Sequence, residues 1–186
     1  LVTKVHMEVR KHAKASKDII LVGHEGHPEV EGTMGRHINS DNSSIYLVQN
    51  ESDAKNIKIN NPTKLALVTQ TTLSVDETKS IIDILKYRFP DIDIPKKDDI
   101  CYATQNRQDA VKQLALESDF MIVVGSKNSS NSNRLSELAE KCGCRSILID
   151  EFTDIDLDDL NKYSKISITA GASAPESKVM EIAKSL

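Results

Sequence analysis

The sequence lacks any apolar run long enough to cross a membrane. A membrane-spanning helix needs roughly 20 consecutive apolar residues, and the hydrophobic runs of this 186-residue chain are far shorter. The amino end does not have the charged and apolar pattern of a secretory signal peptide. We therefore predict a cytoplasmic protein with no membrane partner.

A cluster of basic side chains is also missing. The chain has 24 Lys and Arg residues against 28 Asp and Glu residues, which gives a formal net charge of -4 at pH 7. A nucleic-acid surface needs Lys and Arg gathered on one face, so we expect no nucleic-acid partner. A small anionic ligand is compatible with this charge, because backbone N–H groups and hydroxyls can bind it.

Cysteine is scarce, with three residues in the chain, Cys101, Cys142 and Cys144. An odd number in a chain of cytosolic character argues against a disulfide framework. Cys142 continues a predicted apolar helix stripe and Gly143 suits the end of that helix, so we expect Cys142 and Cys144 to be structural. Cys101 lies alone before a predicted helix, and by itself it would more often be an incidental buried thiol than a ligand.

Short apolar runs alternate with helical patterns along the chain. The runs occupy residues 19–22, 45–48, 65–68, 120–124 and 146–149, and a last one starts at residue 166. This alternation predicts the α/β class, with two similar small domains whose mainly parallel sheets are covered by helices. Prolines and charged residues at 89–99 indicate a boundary, so we predict domains over residues 1–95 and 96–186.

Four of the predicted strands lead into short polar segments, and each segment opens a helix. These segments begin at Gly23, Thr69, Gly125 and Ala170. Ligands of open α/β sheets bind at the carboxyl ends of the strands. We therefore expect the two domains to face each other across a cleft that all four segments line.

The four segments differ in chemistry. Residues 125–134 and Ser173 offer neutral donors at helix starts, which favours an anion such as phosphate, although Ser and Asn also cap helices and turn chains. His27, Glu29 and Thr71 can move protons. Structural roles are open alternatives for two of these residues. Glu29 would then only be a charge at a helix N-terminus, and His27 would only be a turn residue. The combination indicates an enzyme that acts on a phosphorylated small molecule.

Segments of the chain resemble successive motifs of the LytB family, also called IspH, in the family's order. They are His27 to Thr33, Thr69 to Ser74, Asp98 to Thr104, Gly125 to Arg134 and Thr169 to Pro175. Members of this family are 4-hydroxy-3-methylbut-2-enyl diphosphate reductases of the non-mevalonate isoprenoid pathway. The resemblance implies an iron–sulfur reductase with a 4Fe-4S cluster that forms isopentenyl diphosphate and dimethylallyl diphosphate. It also implies an electron donor such as flavodoxin or ferredoxin.

The resemblance implies roles for individual residues as well. Cys101 matches a cluster ligand. Glu29 matches the acid that delivers protons, and Thr71 matches the hydroxyl that relays protons or orients groups near the substrate oxygen. Cys142 and Cys144 match no ligand of the family. The groups around the substrate and its diphosphate are matched by His27, Thr71, Ser129, Ser130, Asn131 and Ser173.

The chain departs from the family pattern at its amino end. A member of the family has an amino-terminal domain with two more cluster cysteines and two more histidines. The second of those cysteines lies in a Cys-Pro pair directly before a segment like Leu1 to His6. The resemblance therefore implies that residues 1–186 are the second and third of three α/β domains. One thiolate should not hold a 4Fe-4S cluster, so we expect this fragment alone to be inactive.

Two other functions are compatible with the residues. A sugar-phosphate isomerase also binds phosphate with Ser-rich loops and moves protons with Glu or His, without any metal. A non-catalytic phosphate-binding module would use the anion site alone. An assay for iron and acid-labile sulfide distinguishes both from an iron–sulfur reductase.

Overall fold

The computed structural model describes residues 1–37, 42–95 and 100–186. The chain divides into two compact units, Leu1–Cys101 and Tyr102–Leu186. The predicted domain boundary between residues 95 and 96 borders the undescribed residues 96–99, and it stays a prediction. Asp98 and Asp99, the first residues of the third family-like motif, lie outside the described residues.

The first unit is built on a parallel sheet of three strands in the order β2-β1-β3. Its helices and strands, in chain order, are α1 (Val2–Lys14), β1 (Asp18–Val22), α2 (Pro28–Met34), β2 (Ile45–Val48), α3 (Glu51–Asn56), β3 (Leu65–Thr69) and α4 (Val75–Arg88). Strands β1 and β3 are buried along their whole length. Such burial is typical of parallel strands with helices on both faces of the sheet.

Helices cover both faces of the first sheet because successive side chains of β1 point in opposite directions. Ile20 and Val22 pack with residues of α3 and α4. Ile19 and Leu21 pack on the other face with residues of α1 and α2. Burying one such aliphatic side chain stabilises the fold by about 1.5–3 kcal/mol, so both faces contribute to holding the strands in place.

The second unit repeats this architecture with a parallel sheet in the order β5-β4-β6. Its elements are α5 (Tyr102–Glu117), β4 (Phe120–Val124), α6 (Ser130–Lys141), β5 (Arg145–Ile149), a short 3-10 helix (Phe152–Asp154), α7 (Leu157–Leu160), β6 (Ile166–Ala170) and α8 (Glu176–Ser185). The predicted α/β class with two similar parallel sheets is confirmed. In the described parts of the chain, no helix combines the length and the apolar composition that crossing a bilayer requires.

The strands of each sheet end level with one another. Val22 at the end of β1 is the register partner of Thr69 at the end of β3. Val124 at the end of β4 is likewise the partner of Ala170 at the end of β6. The polar segments that follow these strands therefore leave each sheet side by side, and each leads into a helix as predicted.

The prediction that Cys142 continues the buried stripe of α6 is wrong. The stripe consists of Leu135, Leu138 and Ala139, whereas Cys142 is exposed as the residue that ends the helix. Gly143 then adopts a φ of 86°, which turns the chain in a conformation that glycine tolerates. Because of this turn the next residue, Cys144, enters the core and is 1% exposed.

Two helices have bounds that the polar and apolar pattern does not mark clearly. α6 begins at Ser130, so part of the polar segment that follows β4 forms the first turn of the helix. α7 is short and covers only Leu157–Leu160. The bounds of short helices depend on caps and tertiary contacts, which explains why their ends are the hardest part to predict.

A buried histidine lies at the carboxyl end of α1. His12 is 9% exposed, and its Nδ1 lies 4.0 Å from Asp93 Oδ2. The same carboxylate oxygen accepts a hydrogen bond of 2.7 Å from the Lys17 ammonium group. Burial lowers the pKa of His12, the Asp93 carboxylate opposes this shift, and Lys17 and Lys11 add to it.

We predict that the free energy of unfolding decreases as the pH falls below about 6.5, the pKa of an ordinary histidine. Because the pKa of His12 is lower in the folded chain, the unfolded chain binds more protons in this window, and acid favours unfolding. Replacing the side chain, as in His12→Gln, should reduce this pH dependence. Urea denaturation across this pH range measures it, and an equally steep dependence in the variant would contradict the prediction.

Candidate functional site

The start of α2 positions two of the predicted site residues. His27 caps the helix, and its Nδ1 accepts a hydrogen bond of 3.1 Å from the Glu29 N–H. Pro28 occupies the first helical position, where its missing N–H removes no helical hydrogen bond. Glu29 therefore lies in the first turn of α2, at the positive end of the helix dipole, and both His27 and Glu29 are half-buried.

The carboxylate of Glu29 is bound through both of its oxygens to Thr71. Oε1 accepts a hydrogen bond of 2.7 Å from the Thr71 backbone N–H. Oε2 accepts a second one of 3.1 Å from the Thr71 hydroxyl. Thr71 is 4% exposed, so this contact is shielded from solvent on the threonine side. The structure thus brings together the predicted acid and the predicted hydroxyl, which follow β1 and β3.

Cys101 lies next to this pair. Its backbone N–H donates a hydrogen bond of 3.0 Å to the Thr71 carbonyl, and its thiol is free and half-buried. Thr71 therefore contacts Glu29 through its N–H and hydroxyl, and Cys101 through its carbonyl. Within the described residues, no group of three or more His, Cys, Asp and Glu side chains is arranged to hold a metal ion, so Cys101 offers a single thiol ligand.

Gln70 is a site residue that the sequence analysis missed. Its side chain is 1% exposed and connects the segments that follow β1 and β3. Oε1 accepts a hydrogen bond of 3.1 Å from the His24 N–H, and Nε2 donates one of 3.1 Å to the Thr72 hydroxyl. A Cβ at residue 23 would lie 2.6 Å from Val30 Cγ2 and 3.2 Å from Gln70 Oε1, so this close packing requires Gly23.

In the second unit, Ser129 caps α6. Its Oγ accepts a hydrogen bond of 3.3 Å from the Ser132 N–H. The first turn of α6 contains no acidic residue, so no carboxylate there competes with an anion for the positive end of the helix dipole. Ser130 is half-buried in the same turn, and Ser173 is exposed in the segment between β6 and α8.

Asn131 is the most unusual polar residue of this turn. The residue is 6% exposed. Neither Oδ1 nor Nδ2 of its amide, both of which are buried, has a hydrogen-bond partner within the described residues. Leaving a buried polar group unpaired costs about 1–3 kcal/mol. A buried amide without a partner at a helix N-terminus is suited to a ligand that supplies the missing hydrogen bonds.

Relatives of this chain are known over its whole length. A family model described as LytB protein matches residues 1–186. Curated proteins named 4-hydroxy-3-methylbut-2-enyl diphosphate reductase from Saccharophagus degradans and Chromohalobacter salexigens are 58% and 59% identical to it over 186 residues. Both alignments cover 100% of this chain, which spans 60% and 59% of the length of these two relatives.

A solved structure agrees with the sequence relatives. It is the E-1-hydroxy-2-methyl-but-2-enyl-4-diphosphate reductase from Plasmodium falciparum, which is 36% identical in sequence and matches with a TM-score of 0.90. The match covers 100% of this chain and 57% of that protein. The similarity therefore includes both units described above.

We predict opposite effects on stability from two substitutions in the first turn of α6. Asn131→Ala removes two unpaired buried polar atoms, so the unfolding free energy of the ligand-free chain should stay unchanged or rise by up to about 1 kcal/mol. Ser129→Ala removes the helix cap and should lower it by about 1 kcal/mol. Chemical denaturation compares both variants with the unaltered chain. An equal loss in both would mean that the Asn131 amide is already satisfied by the fold.

Proposed function

The chain belongs to the LytB family, and from this membership we propose that it is part of a 4-hydroxy-3-methylbut-2-enyl diphosphate reductase. Such an enzyme uses two electrons and two protons to remove the substrate's hydroxyl as water, and it forms isopentenyl diphosphate and dimethylallyl diphosphate. This is the last step of the non-mevalonate route of isoprenoid biosynthesis. The chain spans about 60% of the relatives' length, so the activity is proposed for the complete protein.

The observation that supports this proposal best is the hydrogen-bonded series from Glu29 through Thr71 to Cys101. Removing a hydroxyl as water needs a proton at the oxygen that leaves, and a reduction needs electrons at the same place. The series places the Glu29 carboxyl group on one side of Thr71 and the backbone N–H of Cys101 on the other. An acid and a thiolate ligand are the groups that this reaction requires from the protein.

The cofactor that the family resemblance implies is a 4Fe-4S cluster. The free, half-buried thiol of Cys101 fits the role of one ligand, and we propose that the other thiolates come from parts of the complete protein outside this chain. When bound, such a cluster supplies the electrons of the reduction. The resemblance also supports flavodoxin or ferredoxin as the electron donor. We propose a cytoplasmic location from the sequence pattern.

Glu29 and Thr71 would then handle the protons. Glu29 keeps a hydrogen bond from the Thr71 backbone N–H, so its carboxyl group stays in place when its charge changes. The Thr71 hydroxyl contacts the other carboxyl oxygen and can accept a proton from Glu29 while it donates its own to the substrate oxygen. The two residues together form a short path for protons, with no net change at Thr71.

Neutral donors would bind the diphosphate. Ser129, Ser130 and Asn131 lie at the N-terminus of α6, where N–H groups and the helix dipole favour an anion. Ser173 adds a hydroxyl from the segment after β6. His27 in the first unit stays a predicted diphosphate ligand. Its Nδ1 accepts a hydrogen bond from the Glu29 N–H, so Nε2 is the ring nitrogen that can contact the diphosphate.

The relatives favour this reductase over an isomerase or a non-catalytic phosphate-binding module.

Cysteine substitutions in the complete protein test the cluster proposal. Cys101→Ser should abolish the visible absorbance of the cluster, the bound iron and sulfide, and the reductase activity, because a serine hydroxyl is a poor substitute for a thiolate ligand. Cys142→Ser alters an exposed thiol and is the matched control, which should leave all three nearly intact. Full absorbance in the Cys101 variant would refute the assignment.

A second pair of variants tests the proton path. Glu29→Gln keeps the shape of the side chain and its bond from the Thr71 N–H but cannot deliver a proton, so turnover should fall about 10²–10⁴-fold while substrate still binds. Thr71→Val should give a milder loss, since the carboxyl group remains. Steady-state kinetics measure turnover, and direct binding measurements give the affinity for substrate separately. Normal turnover in Glu29→Gln, or a loss caused only by weaker binding, would contradict a role in proton delivery.

A further inference from the structure

Ser132 occupies an unexpected environment in the first turn of α6. The residue is 0% exposed, and its hydroxyl oxygen has no hydrogen-bond partner within the described residues. Its backbone N–H donates to the capping oxygen of Ser129. Ser132 directly follows Asn131, and its burial places it on the inner side of the helix. The surroundings of this hydroxyl are therefore a matter of packing and not of hydrogen bonding within the described residues.

Two glycines receive the Ser132 side chain. A Cβ added at Gly125, directly after β4, would overlap the Ser132 hydroxyl oxygen and lie 2.9 Å from Ser132 Cβ. A Cβ at Gly171, directly after β6, would overlap the same oxygen and lie 3.3 Å from Ser132 Cβ. Neither glycine is among the residues with a positive φ. Space for Ser132, rather than backbone conformation, therefore requires glycine at both positions.

The equivalent place in the first unit is built differently. Gly23 follows β1 as Gly125 follows β4, but a Cβ there would meet the aliphatic Val30 Cγ2. The residue after β3 is Gln70, whose amide bridges two segments, whereas the residue after β6 is Gly171. Val30 belongs to α2, so a helix side chain packs against the glycine that follows the central strand in both units. In the second unit the same side chain, that of Ser132, also lies against Gly171.

We infer that Gly125, Ser132 and Gly171 form a packing contact that positions the proposed anion site. Ser132 directly follows Asn131 in α6 and is the third residue after Ser129, and Gly171 precedes Ser173 by two residues. How closely the Ser132 side chain packs against the two glycines therefore sets a distance. It is the distance between the donors of α6 and the segment that carries Ser173. Binding groups work only when held within about 0.5 Å of the required geometry. Ser132 is a positioning residue, and this inference rests on the proposed function.

The decisive experiment uses Gly171→Ala in the complete protein, with inorganic diphosphate as the probe in calorimetry. The added methyl group overlaps the Ser132 oxygen and should push α6 away, so that affinity for diphosphate falls about tenfold or more. Adding Ser132→Ala removes that oxygen and leaves a contact of 3.3 Å between the two Cβ atoms, which small shifts can relieve. The double variant should therefore regain most of the affinity.

Gly125→Ala is the matched control. Its Cβ would still lie 2.9 Å from the Cβ of residue 132 after the oxygen is removed, so Ser132→Ala should restore this variant much less than it restores Gly171→Ala. All variants are compared at a temperature at which their melting curves show them folded. If Gly171→Ala does not fold, Ser132→Cys, which enlarges the same contact, should show a several-fold loss of affinity instead.

The outcomes separate this inference from the function on which it rests. If the unaltered complete protein fails to bind diphosphate, the proposed function is overturned and the positioning role with it. If the unaltered protein binds but Gly171→Ala melts at a lower temperature with unchanged affinity, the contact is merely structural and the inference is wrong. Equal restoration of both glycine variants by Ser132→Ala, or unchanged affinity in Ser132→Cys, would also overturn the inference while leaving the proposed function in place.

Discussion

The level ending of parallel strands is the constraint on which the candidate site depends in both units. The hydrogen bonds of the sheet continue one residue past the strand ends, from the Gln70 N–H to the Val22 carbonyl at 2.8 Å and from the Gly171 N–H to the Val124 carbonyl at 2.9 Å. The chain can leave this register only after those bonds. The polar segments therefore start side by side, and in the first unit hydrogen bonds join them.

The hydrogen bonds of Thr71 depend on this register between β1 and β3. Thr71 lies two residues beyond the end of β3, and its N–H, hydroxyl and carbonyl are all engaged, the first two by Glu29 and the third by Cys101. A slip of one residue between β1 and β3 would direct these groups elsewhere, because side chains alternate along a strand. The apolar packing on both faces of β1 thus helps to position Glu29 and the backbone of Cys101, in addition to stabilising the fold.

The fold could be predicted from the sequence because its determinants are local. Apolar runs indicate the strands, and α4 starts where the Ser74 hydroxyl accepts a hydrogen bond from the Glu77 N–H, a cap that depends only on residues three positions apart. The environments of Gln70, Ser132 and Cys142 could not be predicted in this way. Each depends on a contact or a turn that brings in a second segment of the chain, and Ser132 is buried only because two glycines from different strands leave room for it. The motif resemblance found Glu29, Thr71 and Cys101, but their hydrogen bonds required coordinates.

The two units differ in whether the fold satisfies the hydrogen bonds of the candidate site residues. This difference matches the chemistry proposed for each unit. In the first unit the carboxylate of Glu29 is fully bound by the fold, so its position is set before any substrate arrives, as proton transfer over a short path demands. In the second unit the Asn131 amide is buried and unpaired within the described residues, at a cost to stability of about 1–3 kcal/mol, and its Nδ2 group is a donor that the oxygens of an anion can accept from. A donor that is already satisfied would have to break one hydrogen bond to form another. An unsatisfied donor forms its bond without that loss, and for this reason the cost in the free protein favours tight binding of the proposed anion.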